Sequence, residues 1–137
     1  MQKTKLHILL FAMILISFVS SLLISCGKED SMKEHTFEQI TQEEAKQIMD
    51  TEKGYVILDV REQEEYDAGH IPNAICYPYT SIDESFSEIY PDKSQLFLVY
   101  CRSGNRSKIG AQTLADLGYT NVKEFGGIST WPYDIEQ

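Results

Sequence analysis

Cysteine is scarce in this chain: three residues, Cys26, Cys76 and Cys101, among 137. A disulfide-stapled miniature scaffold is thereby excluded. Two cysteines could pair in an exported domain, but a domain of this size does not need a staple. Positive charge is also scarce, with 12 Lys and Arg against 21 Asp and Glu. The net charge of −9 argues against a nucleic-acid partner and against electrostatic adhesion to anionic lipid. His35 and His70 have no ligand spacing with the cysteines, so neither a metal centre nor another cofactor is expected. No internal repeat is seen, and one domain of ordinary size is expected.

What is present begins with one long apolar run. Lys3 and Lys5 form a short positive region, and "LHILLFAMILISFVSSLLIS" (Leu6 to Ser25) follows and ends in small residues, the pattern of a secretory leader. Its last residues with the next one, "LISC" (Leu23 to Cys26), resemble the lipobox of bacterial lipoproteins, in which the cysteine becomes the lipidated first residue after cleavage. The alternative is an uncleaved transmembrane anchor with an incidental cysteine. Either way the rest of the chain is exported and tethered to a membrane. Loss of Lys3 and Lys5 with the leader leaves ten basic residues against 21 acidic ones, a net charge of −11, so the membrane link is the lipid on Cys26. "GKEDSMKEHT" (Gly27 to Thr36) is polar and lacks periodicity. The expected organisation is a signal peptide over residues 1–25, a lipidated flexible tether over 26–35 and one domain over 36–137. That places the domain in a bacterial cell envelope, facing the periplasm or the exterior.

Within the domain, strand-like and helix-like segments alternate. Strands are expected at Thr36–Ile40, Tyr55–Val60, Asn73–Tyr79, Gln95–Tyr100 and Asn121–Phe125. "TQEE" (Thr41 to Glu44) has the form of a capping box, so a helix should follow with Ala45, Ile48 and Met49 inward. "REQEEYDAG" suits a short helix stopped at Gly69, with Glu62, Glu64, Glu65 and Asp67 as a wet face. "SIDESFSEIY" opens with a second possible capping box, Ser81 to Glu84, and stops before Pro91. A helix from about Arg106 to Leu117 could place Ile109, Leu114 and Leu117 on one face. This alternation implies an α/β fold with a mainly parallel five-stranded sheet, in which ligands bind beyond the carboxyl ends of strands.

"VYCRSGNRSKIG" places Cys101 at such an end and at the mouth of a helix. A thiol is a nucleophile only as thiolate, and an ordinary cysteine is mostly protonated at neutral pH. Unpaired N–H donors and the positive end of a helix dipole favour the anion, and Arg102, Arg106 and Lys108 add positive charge. Ser103, Gly104 and Asn105 are small or turn-tolerant, so the backbone can form a ring of N–H groups around the sulfur. The ring of a C-x4-R loop, Cys101 to Arg106, is smaller than the C-x5-R ring with which cysteine phosphatases hold phosphate, and fits a sulfur atom better.

"CRSGNRS" (Cys101 to Ser107), "LDVREQEEYDAGHIPNAI" (Leu58 to Ile75) and "FGGISTW" (Phe125 to Trp131) together resemble the single-domain rhodanese family of sulfurtransferases, in particular its exported phage-shock members. The resemblance spans Thr36 to Trp131. It implies a rhodanese-like three-layer α/β/α domain and a thiosulfate sulfurtransferase. Cys101 would take a sulfane sulfur from a small donor such as thiosulfate, becoming a persulfide, and pass it to cyanide or a thiol. The backbone from Arg102 through Ser103, Gly104 and Asn105 to Arg106 would cradle that persulfide, and Arg102 or Arg106 could hold an anionic donor. Ser107 belongs to the same loop motif and supports it, while Asp59 and Arg61 correspond to an internal ion pair supporting the loop. A non-catalytic module that binds an anion or a partner is the alternative. Cys76 reads as core packing, or else as a thiol resolving the persulfide, and His70 as a turn residue. Pro132 in "WPYDIEQ" breaks any long helix there and leaves closure of the sheet by a terminal helix open.

Overall fold

The computed structural model describes residues 35–137. The leader, Cys26 and the tether before His35 lie outside the described residues. The described part contains β1 (Glu38–Gln39), β2 (Val56–Asp59), β3 (Ile75–Cys76), β4 (Phe97–Cys101) and β5 (Val122–Gly127). They form one sheet in the order β1-β5-β4-β2-β3, and every neighbouring pair is parallel. The helices are α1 (Gln42–Thr51), α2 (Gln63–Asp67), α3 (Phe86–Ile89) and α4 (Asn105–Asp116).

The middle strand, β4, is buried along its whole length, and its side chains alternate between two cores. Phe97, Val99 and Cys101 join Phe86 of α3 and Ala111 and Leu114 of α4. Leu98 and Tyr100 join Ala45 of α1, Ile71, Phe125 and Trp131 on the other face. The result is the expected three-layer α/β/α arrangement, with Cys101 turned toward the α4 layer. Phe86, Phe97 and Tyr119 are fully buried and meet edge to face or tilted, at centroid distances of 5.2 to 5.7 Å. Each such pair contributes about 0.5–1.5 kcal/mol beyond its buried area.

Thr41 and Glu44 form the expected capping box, with Glu44 N–H donating to Thr41 Oγ1 at 3.1 Å and Thr41 N–H to Glu44 Oε2 at 2.7 Å. The second expected box, at Ser81 and Glu84, does not form. Ser81 ends a 3-10 turn (Tyr79–Ser81), and α3 is only the four residues around buried Phe86. Asp83 explains the difference, because its carboxylate accepts from Ser85 N–H at 2.9 Å and offers the backbone a turn in place of a helix. Ile109 also differs from expectation: it is 55% exposed, and α4 buries Ser107, Gly110, Ala111, Leu114 and Ala115. Gly110 lets the helix lie close against Val60, Ile82 and Tyr79, and that contact turns the neighbouring Ile109 outward. β3 is shorter than Asn73–Tyr79 because Pro72 and Pro78 lack N–H donors and Asn73 has a positive φ of 64°. No terminal helix closes the sheet among the described residues. Instead the tail returns extended, with His70 and Glu136 exchanging backbone hydrogen bonds of 2.8 Å.

Candidate active site

The end of β4 is set by an irregularity in its pairing with β5. Val99 faces Glu124, but Cys101 faces Gly127, so three steps on β5 match two on β4. Gly126 takes up the extra residue with φ of 91°, a conformation that favours glycine. The bulge brings Cys101 alongside Gly127 at the carboxyl edge of the sheet. The chain then turns through Arg102 and Ser103 to Gly104, whose φ of 99° allows it to open α4. This left-handed turn aims the Gly104 N–H at Cys101 Sγ, 3.1 Å away.

Cys101 is only 1% exposed. Burial opposes its ionisation, but hydrogen bonds from the Ser107 hydroxyl and from the backbone N–H groups of Ser107, Gly104 and Ser103 outweigh it. The thiol is therefore held below its ordinary range. Of the expected ring of donors from Arg102 to Arg106, Ser103 and Gly104 act on the sulfur, and Ser107 adds a third. The loop is fastened from the 3-10 turn after β5 (Ile128–Thr130), and the end of β5 is held in turn from α1. Ser129 N–H donates to the Arg102 carbonyl at 3.1 Å, and Gln42 Nε2 donates to the Gly127 carbonyl at 2.8 Å.

The arginines have separate positions. Arg102 is exposed and makes no ion pair among the described residues. Arg106 is not free to hold a donor, because its guanidinium grips Glu65 through two bonds of 2.6 and 2.8 Å. Glu65 is thus more than part of a wet face: partly exposed, it joins α2 to the loop, and it also accepts from Glu62 N–H at the helix start. The Arg106 hydrogen bonds, against the opposing effect of burial, hold the Glu65 carboxyl down to about 2. A carboxylate whose folded value is depressed stabilises the fold fully above its unfolded value, and loses that contribution as pH falls through the folded one. The pair is therefore expected to lose its contribution between about pH 4.5 and pH 2, and partial exposure limits it to on the order of 1 kcal/mol. Urea unfolding of Glu65→Gln beside the unsubstituted protein checks this, since the substitution should remove that part of the acid destabilisation.

Asp59 and Arg61 form the expected internal pair, with Arg61 Nε and Nη2 donating to the Asp59 carboxylate at 2.9 and 2.6 Å. Burial works against the Arg61 charge, yet the Asp59 hydrogen bond and charge push its pKa up. Arg61 Nη2 also donates to the Gly69 carbonyl at 2.8 Å. The pair thus fixes the turn after α2, and reaches the loop through Glu65 and Arg106 rather than by touching it. Cys76 pairs in register with Asp59, which pairs on its other side with Tyr100. Two strand spacings put Cys76 roughly 9.5 Å from β4, beyond the Cα separation of about 7 Å that a disulfide tolerates. Burial, then the Asp59 charge, pushes the Cys76 thiol up. Packing, not resolution of a persulfide, is its place here. His70 stacks on Tyr66 and bridges to Glu136, away from the loop. A cleft of about 210 Å³ between Met49, Tyr55, Ile71 and Trp131 contains no loop residue.

Sequence reading missed Glu124, which is 2% exposed and accepts the Ser107 hydroxyl at 2.5 Å. The available signal was a carboxylate two residues after Val122 in the strand before the Gly126–Gly127 pair, on the same face as that apolar residue.

Comparison with known proteins decides the family. The rhodanese-like domain family matches residues 41–132. This chain belongs to it. The rhodanese-like domain is 36% identical over 96 residues to thiosulfate sulfurtransferase GlpE of Coxiella burnetii, covering 69% of this chain and 87% of that protein. It is 35% identical over 71 residues to thiosulfate sulfurtransferase PspE of Escherichia coli, covering 52% of this chain and 68% of that protein. The adenylyltransferase and sulfurtransferase UBA4 of Meyerozyma guilliermondii is 35% identical over 91 residues, 61% of this chain, but the rhodanese-like chain spans only 21% of its length. Among solved structures, a rhodanese with anions from E. coli superposes with a TM-score of 0.56 at 30% identity, covering 61% of this chain and 98% of that one.

Proposed function

We propose that this protein is a membrane-tethered sulfurtransferase carrying a sulfane sulfur as a persulfide on Cys101. The observation that carries the reading is a buried sulfur aimed at by the Gly104 N–H, with its thiol held low by Ser107 and the loop backbone. Relatives named thiosulfate sulfurtransferase support sulfur transfer in general. In the first step the Cys101 thiolate attacks the outer sulfur of thiosulfate; a new S–S bond forms, the old one breaks, and sulfite leaves with its electron pair. The terminal persulfide sulfur then carries the negative charge, in a cradle of fixed N–H dipoles that replace water. In the second step cyanide, or an acceptor thiolate, attacks that outer sulfur and Cys101 departs as thiolate. No general base is needed, since the nucleophile is already favoured as an anion. Arg102 is the loop arginine left to attract an anionic donor, because Arg106 is held by Glu65.

The reading includes the chain before the domain. Residues 1–25 are removed, Cys26 is lipidated, residues 26–35 act as the tether, and residues 36–137 work in the bacterial envelope facing the periplasm or the exterior. The lipobox-like "LISC" and the apolar leader support this. Intact mass of the full-length expressed protein, extracted in detergent, tests both halves. After brief exposure to thiosulfate the mass should rise by one sulfur, on the peptide containing Cys101, and cyanide should reverse it with release of thiocyanate. The chain should begin at a lipid-bearing Cys26. No gain from thiosulfate or a persulfide donor, or sulfur only on Cys76, would move the assignment to an anion- or partner-binding module. A chain beginning at Met1 would leave the apolar segment as an anchor and end the lipoprotein reading.

A further inference from the structure

Glu124 is a buried ionisable side chain beside the sulfur that the reaction above does not use. Its Oε1 accepts the Ser107 hydroxyl at 2.5 Å and the Gly126 N–H at 2.8 Å, and its Oε2 accepts from Gln39 Nε2 at 3.1 Å. It makes no ion pair among the described residues; Lys123, next to it on β5, is turned to Glu38. Ser107 has a single hydroxyl proton and three oxygen acceptors in reach, Glu124 Oε1, the Gly104 carbonyl at 3.0 Å and the Gly126 carbonyl at 3.3 Å, while its own oxygen accepts from the Cys101 thiol at 3.5 Å. Charge-assisted hydrogen bonds are roughly twice as strong as neutral ones. While the sulfur is neutral, as a thiol or as the inner atom of a persulfide, the carboxylate therefore keeps the proton. A thiolate is a second anion, and rotation about the Ser107 Cβ–Oγ bond is enough to offer it the same hydrogen.

We propose that Glu124 is a positioning residue that holds the Ser107 hydroxyl in reserve, and that this hydroxyl turns to Cys101 Sγ whenever a thiolate is generated there. No covalent bond breaks: the proton stays on the Ser107 oxygen and only its acceptor changes. During turnover the thiolate arises twice, before attack on the donor and on departure from the persulfide. In the second case the turning hydroxyl stabilises the leaving group. This use rests on the sulfurtransferase reading, but the switch itself does not. When the hydroxyl turns, Glu124 Oε1 retains the Gly126 N–H and Oε2 retains Gln39, so the carboxylate is not stranded. Among the described residues, Arg106 of α4 interacts with the Cys101 charge and is itself paired to Glu65 of α2, and Arg102 follows Cys101 in the loop.

The test is the ultraviolet thiolate absorbance of the full chain against pH, taken as the difference from Cys101→Ser protein. Glu124→Gln removes the competing anion and is expected to move the Cys101 midpoint down by about one pH unit. Ser107→Ala removes the donor and should move it up by a similar amount, while Ser107→Thr, which keeps the hydroxyl, should restore the original midpoint. In a Ser107→Ala background, Glu124→Gln should move the midpoint less than half as far. An unchanged or raised midpoint in Glu124→Gln, or a shift of equal size with and without the hydroxyl, overturns the proposal. If Glu124→Gln does not fold, an unchanged midpoint in Ser107→Ala overturns it alone. Failure of sulfur loading with these shifts intact would count against the sulfurtransferase reading instead.

Discussion

Replacing Gly127 with alanine is expected to lower the rate of sulfur loading on Cys101 by at least about a hundredfold while the domain stays folded. Gly127 lies at the point where β5 meets the loop, paired with Cys101. A Cβ there would overlap the carbonyl group of Arg102 and the amide nitrogen of Ser103. Both are backbone atoms, so no side-chain rotation relieves the clash and the loop itself must move. The φ of −140° at Gly127 suits any residue, which makes the effect steric rather than conformational. Displacing Arg102 and Ser103 carries the Gly104 N–H off the sulfur and breaks the Ser129 bond to the Arg102 carbonyl. Time-resolved intact mass after thiosulfate treatment measures the loss, and circular dichroism confirms the fold. Loading at a near-normal rate would show that the close approach of β5 is not what shapes the cradle.

How far the sequence disclosed this arrangement depends on whether a feature is local. The strand-end cysteine, the glycine that opens α4 and the Thr41–Glu44 box are written in consecutive residues, and so is the alternation of strands and helices that makes a parallel sheet. The partners that fasten the loop come from elsewhere in the chain. Glu65 precedes Arg106 by 41 residues, and Gln42 precedes Gly127 by 85. Nothing in "REQEEYD" distinguishes the glutamate that grips an arginine from those that meet water. Glu124 was hidden for a related reason: it shares a strand face with buried Val122, and the partners that satisfy it there, Ser107 and Gln39, lie 17 and 85 residues earlier in the chain. Local pattern also misled where two signals competed, as at Ser81, where the Asp83 turn prevailed over a helix start, and at Ile109, where the small face of Gly110 and Ala111 set the rotation of α4.

Arg61→Ala is expected to destabilise the domain by about 3–5 kcal/mol, roughly a fifth or more of the stability of an ordinary domain. Asp59 is fully buried and Arg61 is 5% exposed, so removing the guanidinium leaves a carboxylate with no counter-charge and no route to water. It also leaves the Gly69 carbonyl without its 2.8 Å donor, loosening the turn that ends α2. The expected reading is a lower urea midpoint with an unchanged slope, since the surface exposed on unfolding stays the same. An Asp59→Asn, Arg61→Met double variant should recover much of the loss, because it removes the unpaired charge as well as the pair. A loss below about 1 kcal/mol in Arg61→Ala would mean that water reaches Asp59 and that the pair behaves as a surface contact. The same variant separates stability from chemistry. Arg61 touches neither the sulfur nor the loop, so the fraction of Arg61→Ala that remains folded should still load Cys101, more slowly only to the extent that α2 drifts and Glu65 releases Arg106.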